Sequence, residues 1–272
     1  MKEKKRKKIL GTKTGEIIHL AKAVGNDFDK KAIHDLRVTV KKLRSFLRFL
    51  RFCNDAPHLK IPKKLKRLYH IAGAIRDAQL ELSTLTKKKL LLPAYTNRLD
   101  HIISNQRKQW EKHYSKKMVT SFGKKLLARR YTVFSDDDVA SFFSNKMIAV
   151  EALSKLKSPT DNQVHTVRKL VKDILYTASL ISEGVAGALQ PLTVKKSEEI
   201  SDMIGDYNNR RNLLDHLKTF SSKAMEEDEQ KAIKSFCDKE IRSLNVAKGR
   251  ILTKVRAFVT ESRTHTKSSV NI

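Results

Sequence analysis

At 272 residues with 40% hydrophobic content, the chain is long enough to bury a sizeable core, as one large domain or two of ordinary size. Its 57 lysines and arginines against 29 acids give a formal charge of +28, far more than solubility requires, so the expected partner is anionic: nucleic acid, polyphosphate or an acidic membrane surface. No apolar run approaches the roughly 18 residues of a membrane span. The two cysteines, Cys53 and Cys237, form no C-x-x-C pair and argue against a disulfide scaffold or a thiolate metal site, which makes a reducing cytoplasm the expected location.

Only nine glycines and five prolines punctuate the chain, and alternating β-branched runs are few, so an all-α protein is expected. Residues 1–11 are basic with no hydrophobic segment behind them, so they read as a tail, solvated or acting as an electrostatic arm, and not as a secretory signal. A short helix is expected from Thr14 to Val24, with Ile17, Ile18, Ala21 and Val24 inward and Gly25 or Asn26 as C-cap.

From about Phe28 to Cys53 the spacing predicts a helix with two distinct faces. At about 100° per residue, Ile33, Leu36, Val40, Leu43, Leu47 and Leu50 fall on one core-facing arc. His34, Arg37, Lys41, Arg44, Arg48 and Arg51 fall on the neighbouring arc, with no acid among them. Arginine offers paired planar donors to phosphate oxygens and lysine a mobile point charge. At a rise of about 1.5 Å per residue, successive members stand roughly 5 Å apart, a spacing a linear polyanion can follow. Self-repulsion along this stripe costs stability, so a polyanion that neutralises it is the natural ligand.

Asn54 to Pro57 end that helix, and Pro62 opens the next at a position where its missing N–H does no harm. This third helix is expected to run to about Leu90, with Lys63, Lys66 and His70 on one arc as a second basic wall and Leu65, Leu68, Ala72, Ile75 and Leu82 on another. A long helix is expected from Ala94 to about Arg130, carrying the only tryptophan, Trp110. Tyr131 to Asp138 is the expected boundary between two halves, with Ser135 as N-cap and Asp136, Asp137 and Asp138 as an acidic first turn. Three consecutive aspartates point in different directions from a helix and make a poor metal site. Further helices are expected at roughly 137–156, 161–187, 193–220 and 226–262, with residues from Arg263 onward frayed.

The halves repeat. His165, Arg168 and Lys172 match His34, Arg37 and Lys41 at an offset of 131, and Val164, Val167, Val171, Ile174, Ala178 and Ile181 repeat the apolar arc. The segment around Gly73, Arg76 and Asp77 matches that around Gly205, Asn208 and Asn209 at an offset of 132. Two segments repeating in order at nearly one offset indicate a single unit present twice, so residues 12–133 and 134–272 read as first and second helical repeats.

A His-x-x-Arg-x-x-x-Lys helix followed by a helix with Gly-x-x-Arg-Asp, in a duplicated unit, resembles the CHAD domain, the conserved histidine α-helical domain. The resemblance covers most of the chain. It implies an all-α fold of two four-helix bundles related by a pseudo-twofold axis, with basic helices lining a positively charged groove that binds inorganic polyphosphate. It also implies a cytoplasmic protein that associates with polyphosphate granules. The second half departs from the pattern: Leu175 stands in place of Arg44, Ser179 in place of Arg48, and Asn208 and Asn209 in place of Arg76 and Asp77.

The expected polyphosphate-binding residues are therefore His34, Arg37, Lys41, Arg44, Arg48, Lys63, Lys66, His165, Arg168 and Lys172. The histidines would donate to phosphate most strongly when protonated, so binding is expected to weaken as pH rises through the histidine range. Asp35 and Asp77 read as partners of basic neighbours, and Gly73 and Gly205 as positions of close helix packing. There is no His-Glu-x-x-His, P-loop or nucleophile elbow, so neither a catalytic residue, a metal site nor a cofactor is expected. A nucleic-acid-binding helical protein is the alternative, but it would normally add stacking aromatics to the basic arc, and Phe46 and Phe49 lie off that arc.

Overall fold

A computed structural model describes residues 3–54, 59–129, 134–181, 191–220 and 226–268, with only the backbone described at 191–193 and 263–268. All described elements are α-helices: α1 (Glu3–Asp27), α2 (Lys30–Asn54), α3 (Lys63–Lys87), α4 (Pro93–His113), α5 (Lys116–Ala128), α6 (Asp136–Ser154), α7 (Asp161–Ile181), α8 (Pro191–Phe220) and α9 (Glu227–Ser268). They divide between two compact units, Met1–Val133 with Thr219–Ile233, and Phe134–Lys218 with Lys234–Ile272. None of the described helices is long and apolar enough to cross a membrane.

In the first unit, α2 packs between α1 and α3, α4 packs on α3 and α5 on α1. The predicted arc of α2 is its core face: Ile33, Val40, Leu43 and Leu50 are fully buried, and Leu36 and Leu47 nearly so. Phe46 and Phe49 are buried as well, 6.2 Å apart between ring centroids, so the second half of α2 is enclosed on more of its circumference than the arc alone requires. Asp29 starts the helix by accepting from the backbone N–H groups of Lys31 (2.8 Å) and Ala32 (2.9 Å).

Three expectations for this unit are corrected. Helix α1 begins at Glu3 and not at Thr14, so the basic stretch is helical. Arg6, Leu10, Thr14, Ile17, Ala21 and Val24 form one buried stripe, and it is the apolar continuation through Leu10 that extends the helix backward. The turn after α1 is made at Phe28, with φ 58°, and not at Gly25 or Asn26, both of which lie within the helix. Phe28 is held there by packing edge-on to Trp110 at 6.4 Å, while Gly25 leaves room for the indole, whose Nε1 would lie 3.3 Å from a Cβ at that position. The expected single helix over 94–130 is two, broken at Tyr114 and Ser115, both in extended conformation. Neither glycine nor proline marks the break. It lets Trp110 bury beside Gly25 while Val119, Gly123 and Leu126 turn onto α1, where a Cβ on Gly123 would stand 3.2 Å from Thr14.

In the second unit α6 packs on α7, and the predicted arc of α7, Val164, Val167, Val171, Ile174, Ala178 and Ile181, is buried throughout. Ser135 caps α6 in a capping box with Asp138, as its position before the acidic turn predicts. Thr160 and Gln163 cap α7 reciprocally, at 2.6 and 3.3 Å. The expected extension of α7 over residues 182–187, and residues 131–133 of the expected boundary from Tyr131 to Asp138, lie outside the described residues. Helix α9 continues to Ser268, past the point where fraying is expected.

Candidate anion-binding site

Helices α2 and α3 run antiparallel, which sets Arg37 over Gly73 and Arg44 over Tyr69. The guanidinium of Arg37 donates from Nη1 to the backbone carbonyl of Tyr69 at 2.9 Å and lies 4.6 Å from the centroid of the Tyr69 ring. Arg44 approaches the same ring at 5.5 Å. One aromatic ring thus attracts two guanidiniums whose mutual repulsion would otherwise drive them apart. Lys41 and Arg48 continue the stripe as half-buried residues, and His34 is exposed at its start. Lys63 and Lys66 are exposed on the first turn of α3, and the antiparallel register places Lys63 towards the Arg48 end.

Three residues outside the sequence-derived set join this cluster: Tyr69, His70 and Arg76. Partial burial lowers the His34 pKa from its ordinary 6.5, and Arg76, Lys41 and Arg37 push the same way against Asp35. Partial burial likewise lowers His70, reinforced by Lys66, Arg37 and Arg44. Both imidazoles therefore sense a positive field built from two helices. The signal for Arg76 and His70 was present in the Gly-x-x-Arg motif and the four-residue spacing from Lys66. Nothing in the pattern identified Tyr69, whose role depends on which helix faces it.

Gly73 is a correction to the reading of close helix packing. A Cβ there would sit 3.1 Å from Cζ of Arg37 and closer still to Nη1, so the missing side chain makes room for a guanidinium. The second unit repeats the device. Arg168 donates from Nε to the carbonyl of Ser201 at 3.1 Å, and a Cβ on Gly205 would lie 2.9 Å from its Nη2. In each repeat the accepting carbonyl lies four residues before the glycine.

Around that shared frame the second repeat differs. His165 faces Asn208, with Nδ1 and Nδ2 at 3.2 Å. Lys172 stands 3.7 Å from Asp202 and 5.3 Å from the Tyr176 ring centroid. Leu175, in Arg44's place, is buried at 6% exposure. In the first unit the structure brings His34, Arg37, Lys41, Arg44, Lys66, His70 and Arg76 together, and in the second it places His165, Arg168 and Lys172 along α7.

Among the described residues no group of three or more His, Cys, Asp or Glu is arranged to hold a metal ion. Asp138 is engaged by Ser135, whose backbone N–H reaches its carboxylate at 2.7 Å.

Fold and site define an all-α protein in which a helix pair, built twice, locks an arginine over a glycine and in its first copy gathers cations. The family model of the CHAD domain matches residues 8–218, and the chain belongs to that family. A crystal structure of the CHAD domain from the plant Ricinus communis is similar to it in fold, with a TM-score of 0.70 at 15% identity, over 95% of this chain and 91% of that one. A search of curated proteins gave no match.

Proposed function

We propose that the chain binds inorganic polyphosphate, without turning it over, along the α2–α3 face of the first unit. The observation that carries this reading is the company the stripe keeps. Where charge-balanced packing would set acids opposite Arg37, Lys41 and Arg44, α3 presents Lys66, His70 and Arg76, of which Arg76 has Asp77 beside it at 3.6 Å. Concentrating cations from two helices costs free energy that a dense polyanion recovers, and phosphate oxygens suit the planar donors of Arg37 and Arg44. The absence of base-stacking aromatics on the stripe favours a polyphosphate over a nucleic acid, because Tyr69 has its ring taken up by arginine. A cytoplasmic location, at polyphosphate granules, fits this ligand.

A competition titration tests the proposal: long-chain polyphosphate against double- and single-stranded nucleic acid at about 150 mM salt, where bulk attraction is screened. Wild type should prefer polyphosphate, and Arg37→Ala with Lys41→Ala should remove the preference. Equal affinity for all three polymers, or indifference to the substitutions, would show that net charge alone does the binding.

A further inference from the structure

The α8 segment that pairs with α7 carries the opposite charge from its counterpart in α3. At the offset of 132 set by Gly73 and Gly205, Lys66 becomes Glu198, Arg67 becomes Glu199, His70 becomes Asp202 and Ala74 becomes Asp206. Two of them, Glu198 and Asp202, stand where the first repeat adds Lys66 and His70 to its stripe. Asp202 reaches Lys172 at 3.7 Å, and Glu198, exposed one helical turn before Asp202 on the same face of α8, adds a second negative charge to that surface. The other two acids also meet cations, Asp206 with Arg210 and Glu199 with Lys254, each at 3.7 Å.

We infer that Asp202 and Glu198 are specificity-determining residues: they act as resident anions on Lys172 and confine phosphate binding to the first repeat. The inference rests on the polyphosphate reading and adds to it which copy of the motif works. A carboxylate held beside an ammonium offers what a phosphate oxygen would, a negative charge and lone pairs, and its own charge repels an incoming phosphate. Loss of cations alone would leave a weakened site; acids in their place make an antagonistic one. Leu175 acts in the same direction, since the residue replacing Arg44 is packed into the core and offers no donor. The Arg168 latch over Gly205 is retained because it joins α7 to α8, a structural task independent of ligand.

Tripolyphosphate, short enough to count occupied sites, is the probe for calorimetric titration of the full chain. Wild type should take up one equivalent, Arg37→Ala should lower affinity about tenfold, as expected for losing a charge-assisted contact, and Lys172→Ala should leave it unchanged. The pair Glu198→Lys with Asp202→His, both at exposed positions, should gain a second equivalent. Two equal sites in wild type, a Lys172→Ala loss matching that of Arg37→Ala, or one equivalent in the double variant would overturn the inference. Nuclear magnetic resonance of the Lys172 ammonium supplies a ligand-free arm: Asp202→Asn should lower its titration midpoint, and an unmoved midpoint overturns the resident-anion contact. Failure of every variant to take up tripolyphosphate while that midpoint does move would refute the polyphosphate reading and leave the ion pair established.

Discussion

The guanidinium of Arg37 fills the space that a side chain on Gly73 would need, and it is fixed there by the Tyr69 carbonyl and the Tyr69 ring. Gly73→Ala therefore sets two effects against each other. Alanine is favoured over glycine in a helix interior by about 1 kcal/mol, while the displaced guanidinium loses one hydrogen bond, also worth about 1 kcal/mol. Because the obstacle is the far end of a flexible side chain, Arg37 moves and the backbone does not. Thermal or urea unfolding should find stability within about 1 kcal/mol of wild type, while polyphosphate affinity falls. Gly205→Ala should be equally mild in stability and, on the inference that phosphate binds in the first repeat, leave affinity intact. A loss of binding from Gly205→Ala would show that both repeats contribute.

Much of this arrangement was legible in the sequence, and the part that was not has a definite physical origin. The apolar arcs of α2 and α7 are read correctly because a 3.6-residue period survives in any buried helix. The duplicated His, Arg and Lys spacing points to the motif helices for the same reason. What periodicity cannot give is the neighbour across a helix interface. Tyr69 joins the site only because α3 lies antiparallel to α2, and Gly73 receives an arginine and not a helix backbone for that reason. The break at Tyr114 and Ser115 carries no local marker, because it is imposed by where Trp110 and Val119 must bury. Extension of α1 to Glu3 was obscured by lysine-rich composition, although Arg6 and Leu10 lie in register with Ile17 and Val24.

The two depressed histidines give a pH dependence whose sign differs between the ligand-free and the bound protein. His34 and His70 both titrate below their ordinary 6.5 in the folded state. Their contribution to stability is present above that value and lost as pH falls through the folded-state pKa, because the unfolded chain takes up protons first. A bound polyanion reverses the local field and raises both pKa values, so binding should take up protons. Affinity should accordingly rise as pH is lowered from about 7.5 to 6. Calorimetry in buffers of differing ionisation enthalpy would read the proton uptake directly, and His34→Ala with His70→Ala should abolish it. An uptake that persists in the double variant would place the titrating groups elsewhere.

A third test concerns the buried polar pair that joins α3 to α4. The Tyr95 hydroxyl donates to Glu81 at 2.6 Å, and both residues are nearly inaccessible, at 1% and 5% exposure. Burial raises the phenol pKa well above 10.0, and the hydrogen bond to Glu81 adds to the shift. Tyr95→Phe keeps the ring against Phe220, at 5.0 Å, and removes one donor to a buried carboxylate. The cost should be about 1–3 kcal/mol in urea unfolding, with polyphosphate affinity unchanged because the substitution removes no positive charge. A neutral result would mean that Glu81 is satisfied without the hydroxyl.

The turn after α3 offers a stabilising substitution that sequence patterning alone would not select. Lys89 sits at φ 51°, its N–H bonds to the Thr86 carbonyl at 3.1 Å, and the N–H of Leu90 bonds to that of Leu85 at 3.0 Å. This pair of bonds is the Schellman closure, whose left-handed position glycine usually fills. A side chain there costs roughly 1–2 kcal/mol in left-handed strain, and the greater freedom of glycine in the unfolded chain returns about 0.5–1 kcal/mol of that. Lys89 is exposed and its side chain lies outside the α2–α3 cluster, so little packing is lost on removing it. Lys89→Gly should therefore stabilise the protein by about 0.5–1 kcal/mol, measured as a raised urea midpoint at constant slope. Its polyphosphate affinity should fall only by the small, salt-sensitive amount expected of one distant charge. A lowered midpoint would show that the Lys89 side chain supports the turn in a way its exposure does not suggest.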